Sequence, residues 1–232
     1  MTNDILKDLK NSTGDYVHAG VGAALSSIPF VGSAITELFN LVIAPPLEKR
    51  RDKWLLEIYS SLTKLENRID DFKVEDLAKN EMFISVFMHA TQLALKNHQP
   101  EKLMVLHNAV INTAINTSIE ETEQFLFLKM IDDLSVWHIK ILYYFIDPNK
   151  WYEENKKLKH NIYMGSASTA LIAAYEELKN KDEFINMIIR DLYNYGLMQK
   201  FTDGIMSEQG IYAKRTTEFG DKFLNYIMKI NI

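Results

Sequence analysis

In the stretch "LEKRRDKWLLEIYSSLTKLENRID", Leu55, Ile58, Leu62, Leu65 and Ile69 recur at spacings of 3, 4, 3 and 4. Only an α-helix puts such a series on one face, and a seam this narrow must be covered by other helices or by a second copy of the chain. Pro45 and Pro46 stand just before it, and proline suits the first position of a helix, so the helix is expected to start there. The same period continues downstream. A second helix, from about Val74 to Asn97, carries Phe83, Val86, Phe87, Ala90 and Leu93 on one side, and "NHQP" breaks it before Pro100. A third turns Leu103, Leu106 and Val110 inward. Ser118 and Glu121 form an S-x-x-E capping box, which starts a fourth helix near Ile119.

From Leu134 the pattern changes. "SVWHIKILYYFI" reads as a helix capped by Ser135, "DPNKWYEENKKLKHN" as a polar connection, and "STALIAAYEELKN" as another helix. A third runs from Glu183 toward Gly196, with Ile185, Ile188, Ile189 and Leu192 as its buried stripe. "LMQKFTD" and "GIYAKRT" then read as two short strands joined through Gly204 and Gly210. The last helix, in "TEFGDKFLNYIMKI", shows Phe219, Phe223, Leu224 and Ile227 on one face. The expected fold is mainly α, with an apolar helical hairpin (1–47), a helical bundle (48–133) and a C-terminal module (134–232).

That module, with Leu192, Gly196 and Leu197 in a Leu-x-x-x-Gly-Leu pattern ahead of a hairpin, resembles a winged-helix domain. The resemblance implies that the third helix and the wing form a recognition surface. Asn186, Arg190 and Asn194 lie four apart on the face opposite the stripe, and asparagine and arginine can read base edges. Lys200, Lys214 and Arg215 fall on or near the wing, within reach of phosphates. Residues 134–232 hold 13 basic and 12 acidic side chains, too even a balance for the many phosphate contacts that DNA affinity needs. A protein partner is therefore expected before DNA. A small-residue N-terminus, a helical middle and a C-terminal winged helix together also resemble uncharacterised bacterial proteins of mobile elements, of the Abi-alpha (abortive infection) type.

The N-terminal run "AGVGAALSSIPFVGSAI" (19–35) carries no charge. Pro29 and Gly32 bend it, so two short apolar helices are expected rather than one span, with Gly20 and Gly22 allowing close approach. Lys49, Arg50, Arg51 and Lys53 beside Trp54 resemble an interfacial anchor for an anionic membrane. The expected resting state is soluble, the hairpin packed on the helices that follow and inserting only on activation.

The 232 residues contain no cysteine, which excludes disulfides and thiol nucleophiles and suits a reducing cytoplasm. The polar, acidic opening is unlike a secretory signal. "GVGAAL" lacks the strand, third glycine and acidic partner of a dinucleotide loop. No two of the six histidines are three or four apart, so none is read as a metal ligand. Glu120, Glu121 and Glu123 suit a helix N-terminus. Asp147, Glu154 and Lys156 echo a nuclease pattern but read as loop. No catalytic group, cofactor or metal is expected. The expectation is a non-enzymatic cytoplasmic protein that binds a partner, self-associates and reaches membrane through its N-terminus.

Overall fold

The computed structural model describes residues 48–115, 119–159, 162, 164–200 and 204–229. Gly20, Gly22, Pro29, Gly32 and the apolar hairpin lie outside the described residues, as do Ser118 and the side chain of Lys49. The described chain is mainly helical: α1 (Glu48–Glu66), α2 (Val74–Leu77), α3 (Glu81–Lys96), α4 (Pro100–Ile115), α5 (Glu121–Asp133), α6 (Val136–Ile146), α7 (Pro148–Glu154), α8 (Ala167–Ala174), α9 (Asp182–Asn194), α10 (Glu208–Ile211) and α11 (Glu218–Ile227). Two strands of two residues, β1 (Met164–Gly165) and β2 (Met206–Ser207), pair antiparallel. No described helix is long and apolar enough to cross a membrane.

The chain divides into compact units at residues 84 and 85. In the first, Leu55, Ile58, Leu62 and Leu65 of the α1 seam are buried within the single chain. The expected second helix is split: α2 ends at Leu77, and α3 begins at Glu81, where the Asn80 side chain accepts the Phe83 N–H at 3.0 Å. Residues 85–133, expected in a separate bundle, share the second unit with 134–232.

Here α4 packs along α11. Asn112 of α4 is buried, and its Nδ2 donates toward the carbonyls of Asn225 (3.0 Å), Tyr226 (2.6 Å) and Met228 (3.0 Å); Asn108 donates to Ile227 O at 2.9 Å. One amide has two hydrogens for three acceptors, so at least one bond is shared. The last carbonyls of α11 have no partner within their own helix, and these asparagines supply it. Beneath them Phe127 of α5 touches the rings of Phe219, Phe223 and Tyr226 at 5.2–5.5 Å.

The Leu-x-x-x-Gly-Leu pattern is a helix stop. Gly196 has φ +72°, its N–H reaches Tyr193 O at 2.8 Å, and Leu197 N–H reaches back to Leu192 O at 2.9 Å. This is a Schellman closure, with buried Leu192 and Leu197 as its apolar pair. The turn then meets α11: Thr217 caps that helix by accepting Gly220 N–H at 2.9 Å and donates to Gly196 O at 2.6 Å, while Thr217 N–H bonds Leu197 O at 3.1 Å. A Cβ on Gly220 would lie 2.1 Å from Leu197 O.

Three expectations are corrected. "DPNKWYEENKKLKHN" is not all connection: Asp147 caps α7 by accepting Lys150 N–H at 3.1 Å, Pro148 sits at its first position, and Trp151 and Tyr152 are buried. Among the described residues, the two arms expected as a hairpin are joined by a Met198–Thr216 bridge and by Gln199 N–H on Arg215 O at 2.8 Å. Residues 206–207 pair instead with β1, and Gly210 and Ile211 lie in α10. The fourth helix begins at Glu121 with no side-chain cap bond.

Gly220→Ala should cost about 2–3 kcal/mol, because the atom it strikes is backbone and cannot swing aside. Gly196→Ala meets no atom within 4 Å and should lose only about 1 kcal/mol, for holding positive φ. Urea unfolding of both variants measures the difference; equal losses would mean that α11 does not rest on the Leu197 carbonyl.

Candidate functional site

The stripe Ile185, Ile188, Ile189 and Leu192 is buried against the body of the module, where α9 packs on α6. This turns Asn186, Arg190 and Asn194 to solvent. Two exposed residues not singled out from sequence, Met187 and Tyr193, belong to the same surface; their spacing of three from Arg190 was the available signal. Arg190 makes no ion pair among the described residues. The N-terminal approach to this face is acidic: Glu176, Glu177, Asp182 and Glu183 are exposed there, against Lys179 and Lys181.

The cations expected on the wing are largely engaged. Lys214 pairs with Asp221, whose other oxygen accepts Thr216 Oγ1–H at 2.6 Å. Arg215 is a staple: its Nη2 donates to Gly210 O at 2.7 Å, its guanidinium lies 5.9 Å from the centre of the Phe145 ring, and its backbone N–H bonds Phe145 O at 2.9 Å. Lys200 is exposed. Of the three wing cations, it alone has no bond or ion pair among the described residues.

The basic cluster after the N-terminal run is likewise altered. Arg50 is exposed and Lys53 lies 3.9 Å from Glu57, but Arg51 is buried beside Asp52 and Trp54 is only 4% exposed. Arg51 stands four residues before Leu55, and Trp54 four before Ile58. The seam's own period draws both inward, so neither is displayed as an interfacial anchor.

One constellation has catalytic composition and forms a helix cap. Ser135 Oγ lies 2.7 Å from His138 Nδ1, and His138 Nε2 lies 3.5 Å from Asp191 Oδ2. Serine, histidine and aspartate in this order invite comparison with a hydrolytic triad. The backbone N–H of Ser135, however, also donates to Nδ1 at 3.1 Å, and the two residues form the capping box that starts α6. Nδ1 is therefore an acceptor already in use, and the ring's proton sits on Nε2 toward Asp191. Lys102 is buried nearby, donating to the carbonyls of Ile131 and of Asp132 (3.1 Å) at the end of α5, where burial lowers its pKa.

The nuclease-like residues do not converge on adjacent strands. Asp147 is a helix cap, and Glu154 accepts the Tyr143 hydroxyl and lies 3.6 Å from Lys150 within α7. Glu123 pairs with Lys222 of α11 at 3.0 Å. His89 stacks on Phe125 at 6.3 Å. Among the described residues, no group of three or more His, Asp or Glu side chains is arranged to hold a metal ion. No family model, curated protein or solved structure matches the chain.

Burial lowers the His138 pKa, and the Lys102 charge adds to this, against the opposing pull of Asp191. The folded value then lies below the unfolded one of about 6.5. Between the two, the unfolded chain binds more protons, so this contribution to stability is present above about pH 6.5 and is lost as pH falls from there through the folded value. His138→Gln keeps an S-x-x-Q capping box without a titrating ring. Unfolding free energy measured from pH 7.5 to 5 should fall less in His138→Gln than in wild type; parallel curves would remove His138 as the cause.

Arg215→Ala should cost about 1–3 kcal/mol, whereas Lys200→Ala should change stability by no more than about 0.5 kcal/mol. Thermal unfolding compares them, and similar small effects would return Arg215 to the pool of available cations.

Proposed function

We propose that the C-terminal part is a winged-helix-like module whose α9 face binds a protein partner, with no catalytic step of its own. The observation that carries this is the composition of the face. Met187, Arg190 and Tyr193 stand exposed together, flanked by Asn186 and Asn194, and residues of these types supply much of the binding energy at protein interfaces. The winged-helix reading is supported by the Schellman stop after α9, the bridged arms that follow, and the short extended segment β1 between α7 and α8.

A DNA-binding regulator is the runner-up. A recognition helix approaches bases through its N-terminal residues, and here four exposed carboxylates against two lysines lie within or just before its first turn. Lys214 and Arg215, spent on Asp221 and on Gly210, add little phosphate affinity.

The setting implied by the resemblance is bacterial and defence-associated, and the reading includes a cytoplasmic resting state. The uncharged run 19–35 is the observation that favours a second activity, entry into membrane on activation. Self-association stays part of the proposal through that same run, since the α1 seam is already covered in one chain.

A photo-crosslinking amino acid at Met187 in the full chain, expressed in its own host, should capture one protein. That adduct should disappear when Arg190→Glu is added. Random duplex should bind the full chain no more tightly than about 10 µM at physiological salt. Tight, sequence-selective duplex binding that is abolished by Arg190→Ala would replace this reading with the regulator.

A further inference from the structure

The three most exposed large apolar residues of the described chain lie in two segments that the fold brings together. Leu158 is 91% exposed, Ile205 79% and Met164 74%. Met164 stands opposite Ser207 and Gly165 opposite Met206. Carried one residue further, this register sets Ile205 opposite Ser166, which puts Met164 and Ile205 on the same face as diagonal neighbours. Leu158 stands next to Lys159, whose Nζ reaches the helix that follows β2, 3.1 Å from Glu208 and 4.2 Å from the centre of the Tyr212 ring. Single exposed apolar residues are ordinary; Met164 and Ile205 side by side, with Leu158 a few residues earlier in the same segment, make a patch that needs an occupant.

The charge around the tip selects that occupant. Residues 155–166 contain Lys156, Lys157 and Lys159 and no carboxylate, with Glu153 just before them, and residues 197–208 contain Lys200, Asp203 and Glu208, so the two segments together carry a small positive excess. Lys159 is neutralised by Glu208, and Lys157 donates to Ala174 O at 2.8 Å while lying over Trp151. Lys156 and Lys200 remain, both exposed and without an ion pair among the described residues. Glu154, at the end of the preceding helix, is turned back to Tyr143 and Lys150.

We infer that this tip is a shallow insertion surface for an anionic lipid bilayer, with Leu158, Met164 and Ile205 entering the headgroup and acyl boundary and Lys156 and Lys200 meeting lipid phosphates. Lipid fits better than nucleic acid because unpaired leucine, isoleucine and methionine side chains gain by leaving water and offer nothing to a base edge. The site is separate from the run 19–35 and needs no insertion of it. It would hold the module at a membrane surface with α9 still free for its partner.

The test uses the full chain and sedimentation with vesicles of phosphatidylcholine, with and without about 30% phosphatidylserine. Wild type should partition onto the anionic vesicles, and more weakly at high salt. The triple variant Leu158→Ser, Met164→Ser, Ile205→Ser should lose about tenfold in partition, its helical circular dichroism unchanged. Because the chain has no cysteine, Ile205→Cys carrying an environment-sensitive dye gives an independent reading. Its emission should shift to the blue with anionic vesicles, while the same dye on Leu126→Cys should not shift.

Three results would overturn the inference. The first is wild type that binds no vesicle. The second is binding lost in Gly32→Asp but unchanged in the triple variant with a silent dye, which assigns lipid contact to the N-terminal run alone. The third is a triple variant that weakens duplex DNA binding and leaves vesicle partition intact.

Discussion

The second compact unit depends on how α11 is held at its two ends. At its start, Leu197 O fits against the bare Cα of Gly220 and accepts the Thr217 N–H. At its finish, Asn108 and Asn112 satisfy carbonyls that the helix itself leaves open. A helix end buried without such partners would lose far more than the apolar contact gains, so the polar atoms set the depth and register of the docking. The Phe127 cluster then fills the space that the clamp defines. Through this clamp, residues near position 110 and residues near position 226 become one core.

The same economy explains why chemically suggestive side chains are engaged with main-chain groups. Ser135, His138 and Asp191 have triad composition, yet a backbone donor occupies the imidazole nitrogen that would have to act as base. Lys102, buried with a lowered pKa, spends its hydrogens on carbonyls at the end of α5. Arg215 and Lys214, basic residues beside a wing, close the arm against Gly210 and Asp221. In a chain of short helices each end exposes main-chain groups, and polar side chains are drawn to them first.

Two surfaces among the described residues gather groups that are not engaged in this way. One is the outer face of α9, with Arg190 between Met187 and Tyr193; the other is the tip around β1 and β2, with bare aliphatics beside Lys156 and Lys200. The proposed partner site rests on the first, with its arginine and tyrosine, and the proposed lipid contact on the second, with its exposed aliphatics.

Periodicity was enough to reveal the helices whose apolar residues repeat over three or more turns: the α1 seam, the inner faces of α3 and α11, and the stripe of α9 that leaves Asn186, Arg190 and Asn194 outside. The stop at Gly196 was legible for the same local cause, since a left-handed turn after a helix favours glycine. The helix α7 escaped notice because its Asp147–Pro148 start lay within a run of charges, and its two buried aromatics are covered by residues distant in sequence. The β1–β2 pair is two residues long, too short for any alternation to show, and it joins positions about forty apart, so only the folded chain could choose it over the hairpin. The burial of Trp54 and Arg51 follows the period of the α1 seam and was open to the same reading, whereas the loss of Arg215 and Lys214 as free cations followed from partners that the folded arm brings to them. Local rules govern which residues turn inward along one helix; which polar group satisfies which depends on elements meeting in space, and that is settled when the helices pack.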